Sequence, residues 1–481
     1  MDELEILRIM NKYNPWWNNK KIPASKTSVF KRGDFYIMQE QLLRKEITSL
    51  VGPRRVGKTI LIHQLIQHLL DTNIEPSKIL YLSVDEVGLT KGGAELGHIL
   101  DTYSKFIIKK PLDELEDTCF LFLDEIQELP DWEKILKNWY DLRYKMKFII
   151  SGSSSIWISK GSEESLLGRI KMTIMMPLRF SEVLRYRGLL SDDFYKTRTN
   201  VRTSILKSIQ ENNLSFFRKE LDTFVGIAAP LKEGIEIELN RYLTVGGYPE
   251  LLDEKDYNSI GEAVRDKVKL IFYKDVIRYF KIRNPGVLQD LFKILAKNTG
   301  QQFNIAETAR LLDIERPTLR DYIKYLIKAY LIERSEFYSD SRHKRIRKQE
   351  KIYVLDAGIR NGMVDFIDDN LIKNPAELGL VVQSTIFDHL TRLKFNVEPG
   401  PEPEIFYWKD KKEIDFVLTI KRKPIPVESK FSKSLEQETV RTLKEFTKKN
   451  NSPFGIIITK TEYGWDENIL KIPLWMILTV I

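Results

Sequence analysis

The sequence has few of the features that mark secreted or membrane proteins. Its 481 residues include one cysteine, Cys119, so no disulfide can form within the chain, which suits a reducing compartment. No apolar run reaches the roughly 18 residues of a transmembrane helix, and the acidic start MDELEILRIM lacks the basic and apolar regions of a signal peptide. We expect a cytoplasmic protein with no membrane partner. The short apolar stretch 472–481 predicts a final buried strand.

Neither positive nor negative charge is in large excess. Lys and Arg number 76 against 68 Asp and Glu, a net charge of +8, which permits an anionic partner without demanding one. A solvated surface of mixed charge explains the same balance. Internal repeats and low-complexity segments are missing too, and a hydrophobic content of 42% supports packed cores. At about 100–200 residues per domain, the length predicts two to four domains.

Apolar strands alternate with helical stretches in the first 150 residues. The helical periodicity of residues 59–70 follows the first strand directly. This alternation predicts an α/β fold with a parallel sheet covered on both faces. Residues 180–280 look helical, with a turn at 246–249, GGYP. The strands are predicted at 46–51, 79–84, 118–123 and 147–151.

A glycine-rich loop follows the first strand. Residues 52–59, GPRRVGKT, fit the P-loop spacing G-x-x-x-x-G-K-[ST] between a strand and a helix. Its glycines let the backbone wrap a phosphate chain, and its amides offer positive partial charge. We assign Lys58 to the β- and γ-phosphates of ATP and Thr59 to Mg²⁺; the alternative is a turn that binds nothing. The residues expected to contact the nucleotide are Gly52, Pro53, Arg54, Arg55, Val56, Gly57, Lys58, Thr59 and Ile60.

Two carboxylates end the third strand, at the edge where ligands bind in parallel sheets. Asp124 is expected to hold Mg²⁺, and Glu125 to polarise the attacking water. Structural acids are the alternative. The fourth strand ends in SGSS, residues 151–154, where we expect Ser153, with Ser151 as second choice, to lie near the γ-phosphate or the water.

Arg169 follows Gly168 further along the chain. An arginine here is placed to act as a finger on the γ-phosphate of a neighbouring subunit, which requires a homo-oligomer. An ordinary surface ion pair explains the residue equally well.

A helix-turn-helix pattern lies beyond residue 300. Asn304 caps a helix that ends near Leu312, and a second helix, 316–329, buries one face. Thr318, Arg320, Asp321 and Lys324 lie off that face. The basic run 342–348 between two strand-like stretches suits a wing. The pattern predicts DNA binding, with phosphate contacts made by the wing. A winged helix used for protein contacts is the alternative.

A predicted hairpin near the C-terminus carries two acids and a lysine. Glu428 and Lys430 lie two residues apart and share a face of their strand, and Asp415 lies on the adjoining strand. Such a group can hold Mg²⁺, with Asp415 and Glu428 as ligands, and can activate water against a phosphodiester. An inactive DNA clamp and a purely structural role remain open.

These motifs together resemble a known family. GPRRVGKT, FLFLDEIQ, ISGSSS, LLGRI, MPLRFSEVL and LTVGGYPE are similar to segments of archaeal and bacterial AAA+ ATPases with a C-terminal restriction-endonuclease-like domain of the DUF4143 type. The resemblance implies an AAA+ fold, ATP hydrolysis with Mg²⁺, and oligomerisation. The hairpin resembles the D-(x)n-E-x-K pattern of restriction-type nucleases.

The chain departs from that family at one position. Relatives often have a glutamate in the helix before the hairpin, where this chain has Gln383. A neutral amide is a poorer ligand for a hard cation than a carboxylate. Glu377, just upstream, is the available substitute.

The complete prediction is an α/β protein of four parts. These are an AAA+ P-loop core (1–180), a helical lid (181–283), a winged helix (284–360) and a small α/β nuclease-like domain (376–481). We expect an ATPase coupled to DNA binding or processing. The alternative is a nucleotide-switched protein-binding scaffold with an inactive nuclease-like domain.

Overall fold

The computed structural model describes residues 2–85, 96–129, 131–152, 166, 168–280, 282–339, 341–398, 405–431 and 436–481. The chain forms two compact units, Met1–Met176 and Pro177–Ile481. Within the described ranges, no helix combines the length and the apolar composition needed to cross a bilayer. The first unit comprises α1 (Glu3–Tyr13), α2 (Trp16–Asn19), α3 (Gly33–Gln41), β1 (Ile47–Val51), α4 (Lys58–Asp71), β2 (Ile79–Ser83), α5 (Leu96–Tyr103), β3 (Cys119–Asp124), α6 (Trp132–Asp141), β4 (Met146–Gly152) and β5 (Ile170–Ile174).

The five strands of the first unit form one parallel sheet in the order β2-β3-β4-β1-β5. All residues of β1 and β3 are buried, as expected for strands covered on both faces. Strand β4 lies between β1 and β3, so the carboxyl ends of all three are neighbours. The predicted α/β fold with a parallel P-loop-type sheet is confirmed.

The N-terminal segment covers the outer edge of this sheet. Asn14 is fully buried; its amide nitrogen donates to Tyr81 O at 2.9 Å, and Tyr81 N donates to its amide oxygen at 2.7 Å. The indole nitrogens of Trp16 and Trp17 both donate to Ile79 O. These side chains satisfy backbone groups of β2 that an edge strand would otherwise expose to another chain.

The second unit combines a helical region with a mixed sheet. Its 23-residue helix α18 runs beneath the sheet and buries thirteen of its residues. The elements are α7 (Phe180–Tyr186), α8 (Asp192–Glu211), α9 (Ser215–Ala228), α10 (Lys232–Val245), α11 (Tyr257–Ile271), α12 (Pro285–Lys297), α13 (Ile305–Leu311), α14 (Arg316–Lys328), β6 (Ile332–Phe337), α15 (Arg342–Arg347), β7 (Lys351–Val354), α16 (Ala357–Met363), α17 (Asn370–Lys373), α18 (Pro375–Val397), β8 (Ile405–Lys409), β9 (Glu413–Ile420), β10 (Lys423–Lys430), α19 (Gln437–Lys449), β11 (Gly455–Thr459), β12 (Gly464–Asp466), β13 (Ile469–Pro473) and α20 (Leu474–Val480). Helix α11 continues through a π-helical segment, Phe272–Ile277, into a last turn, Arg278–Phe280.

The sheet of this unit is continuous from the helix-turn-helix region into the C-terminal region. Its order is β12-β13-β11-β10-β9-β8-β6-β7. Strand β6 pairs antiparallel with β7 and parallel with β8. The division of this unit into a lid, a winged helix and a nuclease-like domain stays a prediction.

The basic run 342–348 lies between β6 and β7, which pair antiparallel as the two flanking strands of the expected wing, and its residues Arg342–Arg347 form helix α15. One local prediction was wrong. The apolar stretch 472–481, expected as a strand, ends strand β13 at Pro473 and continues as helix α20. Periodicity cannot separate a buried strand from a buried helix in so apolar a run. Pro473 marks the change, because it is the residue before the first helical turn.

Three glycines, Gly246, Gly247 and Gly358, let the turn at 246–247 pack closely against α16 and neighbouring backbone. A Cβ at Gly247 would lie 2.2 Å from Leu178 O, and one at Gly358 would lie 1.9 Å from Val245 O. Asp356 fixes both sides of this contact, since it accepts from Gly247 N and from Ile359 N at 2.9 Å each. A Cβ at Gly246 would meet that same carboxylate.

We predict that Gly358→Ala destabilises the protein by about 1–3 kcal/mol, because two backbones must separate to admit the methyl group. Urea denaturation of the full chain measures this. The control is Gly379→Ala in α18, where an added Cβ meets nothing within 4 Å and the better helix propensity of alanine predicts unchanged or higher stability. Equal stabilities for the two variants would contradict the packing argument.

Candidate functional site

The loop between β1 and α4 requires glycine at two positions. Gly52 has φ +153°, and a Cβ there would lie 2.0 Å from Met175 O. Gly57 has φ +101° and precedes the first turn of α4, while Arg55 also adopts a left-handed conformation at φ 63°. The sequence therefore folds this segment into a tight loop whose amides and helix N-terminus suit a phosphate chain.

Lys58 bridges the loop with its side chain. The residue is 6% exposed, and its ammonium group donates to Gly52 O and Pro53 O, both at 2.9 Å. When a nucleotide binds, a lysine in this position can exchange its two carbonyl partners for phosphate oxygens.

Asp124 collects hydroxyl groups from three other elements. Its Oδ2 accepts from Thr59 Oγ1 at 2.7 Å and from Tyr81 Oη at 3.2 Å, while its Oδ1 accepts from Ser151 Oγ. Thr59 lies in the first turn of α4, Tyr81 in β2 and Ser151 in β4. This carboxylate therefore joins the loop helix to the two strands that flank β3.

Glu125 combines a strained backbone conformation with a side chain that contacts two polar neighbours. Its φ is 55°, in the left-handed region that non-glycine residues rarely adopt. Its carboxylate accepts from Gln127 Nε2 at 2.5 Å and lies 3.9 Å from the Arg54 guanidinium. Burial raises the pKa of this carboxyl, and the Asp124 charge adds to the effect, whereas Lys58 and Arg54 oppose it. Strain at such a position is typical of functional sites.

The other predicted residues of this site have different outcomes. Ser153 lies outside the described residues, whereas Ser151, the second choice, contacts Asp124. Arg169 pairs with Asp141, its Nε donating to Oδ1 at 2.8 Å. Ile170, which follows Arg169, pairs with Ile47, so Arg169 lies at the amino edge of the sheet, opposite the loop. The surface ion pair considered for Arg169 is present.

Sequence reasoning missed two buried residues of the site, Tyr81 and His63. Their rings lie 4.8 Å apart between centroids, and His63 Nδ1 lies 2.8 Å from Thr59 O. Burial lowers the pKa of His63, so it is a neutral neighbour of the carboxylate. No signal in ILYLS distinguishes Tyr81 from an ordinary core residue, because the contact with Asp124 arises only when β2 pairs with β3.

The helix-turn-helix pattern folds as expected. Asn304 caps α13 by accepting from Ala306 N and Glu307 N. Helix α14 buries four of the five residues expected on its inner face, Leu319, Tyr322, Ile323 and Leu326, while the fifth, Ile327, is half-buried. On the outer side, Arg320 is exposed, while Lys324 pairs with Asp321 at 3.1 Å. Tyr325 is stacked on Phe280 at 3.6 Å, so one flank of this helix is covered.

Helix α15, which follows strand β6, concentrates positive charge. Lys344, Arg347 and Lys348 are exposed, and Arg345 is fixed by donating to Ser339 O and by stacking on Phe406 at 4.8 Å. A rigid basic turn of this kind presents cations at fixed positions, as phosphate contacts require.

The predicted acidic site forms in the C-terminal region, on β9 and β10. Asp415 and Glu428 are 8% and 5% exposed. Asp415 N donates to Glu428 Oε2 at 3.0 Å, and the Lys430 ammonium lies 3.0 Å from Glu428 Oε1. Burial, with the Asp415 charge beside it, raises the pKa of Glu428 to about 7.

The donor set of this acidic site does not fit Mg²⁺. The side chain of Gln383 donates to Asp415 Oδ1 at 3.1 Å, so it presents hydrogens rather than a ligand oxygen. Glu377 does not replace it, because Glu377 pairs with the buried Arg360. Among the described residues, no group of three or more His, Cys, Asp or Glu side chains could hold a metal ion. The oxygen ligands left for a cation at this site are the carboxylates of Asp415 and Glu428, and both already accept hydrogen bonds from the protein.

Family models match three segments of the chain. Residues 44–184 match an AAA domain, residues 236–370 a domain of unknown function (DUF8612), and residues 378–477 a domain of unknown function (DUF4143). The chain therefore joins an AAA domain to a C-terminal DUF4143 domain, and this predicted pairing of domains is confirmed.

Relatives and solved structures add little about function. Two uncharacterized proteins of Methanocaldococcus jannaschii are 28% and 27% identical over 69% and 82% of this chain, and over 67% and 76% of their own lengths. The Aeropyrum pernix ORC1 protein, solved in complex with DNA, matches 77% of this chain and 97% of its own at 13% identity, with a TM-score of 0.30. Similarity at that level assigns no activity.

Proposed function

We propose that this protein hydrolyses ATP at the loop 52–59 and uses the nucleotide to control a nucleic-acid-binding second unit. The observation that carries the proposal is the meeting of Thr59, Ser151 and Asp124 beside Lys58. A P-loop, a carboxylate and a flanking glutamate are the parts that this class of hydrolase uses.

The residues present fit Mg²⁺ at this site. Thr59 Oγ1 and the Asp124 carboxylate lie within 2.7 Å of each other and would hold the ion, which neutralises charge on the phosphates when bound. Lys58 and the loop amides bind and orient the phosphates. Glu125 accepts the proton of the attacking water, and its raised pKa brings it closer to neutral pH than an ordinary carboxylate.

Arg169 supports the proposal that the protein works as a homo-oligomer. It lies at the amino edge of the sheet, and the five residues of β1 separate that edge from the loop by about 16 Å. Arg169 therefore cannot serve the nucleotide of its own chain. As a finger it would act on another copy, after leaving Asp141.

Helices α14 and α15 support nucleic-acid binding by the second unit. The exposed Arg320 on α14, with Lys344, Arg347 and Lys348 in the basic run that forms α15, offers phosphate contacts. Such contacts give sequence-independent affinity that falls steeply with salt. DNA is the partner we propose.

One observation favours the second candidate, a nucleotide-switched protein-binding scaffold. Gln127 and Arg54 hold the Glu125 carboxylate, and a held base suits slow turnover. Turnover measured with and without duplex DNA separates the two functions. Stimulation by DNA supports the first, whereas slow, DNA-indifferent turnover supports the scaffold.

We predict that Glu125→Gln lowers kcat by about 10²–10⁴-fold while ATP binding persists, because only the base is lost. Lys58→Ala instead loses binding. Release of phosphate and binding of a fluorescent ATP analogue measure the two effects. With the wild-type chain, kcat falls as pH drops through the raised pKa of Glu125, since protonation removes the base. Normal turnover by Glu125→Gln would contradict the assignment.

We predict that Tyr81→Phe raises the Mg²⁺ concentration needed for half-maximal turnover several-fold, because Asp124 loses a hydroxyl that orients it. Nucleotide binding in EDTA stays unchanged. The matched control is Tyr103→Phe: Tyr103 is equally buried in the same unit, and its hydroxyl donates to Ser77 O at 2.5 Å, outside the site. Identical Mg²⁺ dependence of the two variants would rule out an orienting role for Tyr81.

We predict that removing two exposed cations of α15, Lys344→Ala with Arg347→Ala, weakens duplex DNA binding and reduces the slope of log K against log salt by about 2. Fluorescence anisotropy between 50 and 200 mM salt measures the slope. The control replaces Lys448 and Lys449, two exposed cations at the end of α19. Equal losses from both pairs would show that net charge alone matters.

A further inference from the structure

Every carboxylate oxygen of the two buried acids at the C-terminal site has a hydrogen-bond donor from the protein itself. Asp415 Oδ1 accepts from Gln383 Nε2 at 3.1 Å and Oδ2 from Ser429 N at 3.0 Å. Glu428 Oε2 accepts from Asp415 N at 3.0 Å, and Oε1 lies 3.0 Å from the Lys430 ammonium. Each of the four carboxylate oxygens therefore already has a donor.

The amide of Gln383 turns its nitrogen toward the acid pair. Its amide nitrogen faces Asp415, whereas its amide oxygen lies toward Gly300, 3.2 Å from where a Cβ at that residue would stand. Gly300 has φ +76°, a backbone conformation that favours glycine. The side chain of Gln383 therefore donates an N–H to Asp415 and directs its one possible ligand atom, the amide oxygen, toward Gly300.

Other nearby acids do not complete a cation site. Glu413 shares a strand face with Asp415, but its carboxylate accepts from Lys351 and lies 3.6 Å from the Lys409 ammonium. Glu377, on the same helix as Gln383, pairs with Arg360. The positive charges that pair with Glu413 and Glu377 therefore come from lysine and arginine side chains of the protein.

We propose that Gln383 and Lys430 take the place of a divalent cation in this domain, so that its acid pair is held without metal and the domain does not cut nucleic acid. Cleavage of a phosphodiester at such a site needs a cation to activate water and to neutralise developing charge. With an amide and an ammonium in its place, the acids keep the hairpin together.

The test is a Mn²⁺ titration of the full, nucleotide-free chain, with free Mn²⁺ measured by electron paramagnetic resonance. We expect wild type and Asp415→Asn to bind the same number of ions. We expect Gln383→Glu to gain one ion, which Gln383→Glu with Asp415→Asn loses again. Gln349→Glu adds the same charge at an exposed position of the same unit and should gain none.

Melting temperatures, measured with and without Mn²⁺, separate a change in metal binding from a simple loss of folding in a variant. Without metal, Gln383→Glu brings a third carboxylate to the pair and should melt at lower temperature, and Mn²⁺ should restore it, while wild type stays unaffected. If Asp415→Asn fails to fold, Glu428→Gln replaces it. The proposal is overturned if wild type binds one ion more than Asp415→Asn or Glu428→Gln, or if Gln383→Glu gains no ion. It is also overturned if wild type cuts plasmid DNA with Mg²⁺ and Asp415→Asn does not. None of these results depends on ATP hydrolysis.

Discussion

The position of β4 between β1 and β3 is the constraint on which the nucleotide site depends. It places Ser151 beside Asp124 and leaves room for Thr59, at the start of α4, to reach the same carboxylate. If β1 paired directly with β3, Ser151 would have no place between them. Because parallel strands end at one edge, a single choice of strand order gathers groups that lie about 90 residues apart in the chain.

The two acidic sites of the chain differ in the chemistry of their partners. Asp124 accepts from three hydroxyl groups, which are neutral and leave its negative charge available beside the loop. Asp415 and Glu428 face an amide, backbone N–H groups and an ammonium, and the ammonium neutralises charge directly. Hydroxyl groups can turn and accept as well as donate, whereas Lys430 can only donate. The first arrangement suits an arriving cation, and the second makes one unnecessary.

The sequence predicted what is local and missed what depends on tertiary pairing. The loop 52–59, the acids after β3 and the capped helix α13 are contiguous segments, so spacing and residue type were enough. Tyr81 and His63 could not be found, because an aromatic residue in an apolar strand and a histidine in a helix look like core. The helical conformation of the basic run between β6 and β7 was not predicted, since a charged run has no hydrophobic periodicity. The continuity of β6 with β8 joins segments about 70 residues apart, which no local pattern reveals.

The departure at Gln383 shows how a single amide changes the meaning of a motif. The sequence D-(x)n-E-x-K is complete in this chain, and the hairpin brings Asp415, Glu428 and Lys430 together as the pattern predicts. The motif specifies the two acids but not the donor and cationic groups beside them. In our proposal those neighbouring groups decide whether the acids bind metal. A glutamine on α18 adds donors where a glutamate would add a ligand. In the proposed function, nucleic acid is then held by cations of the second unit such as those of α15, and ATP hydrolysis supplies the only bond-breaking step.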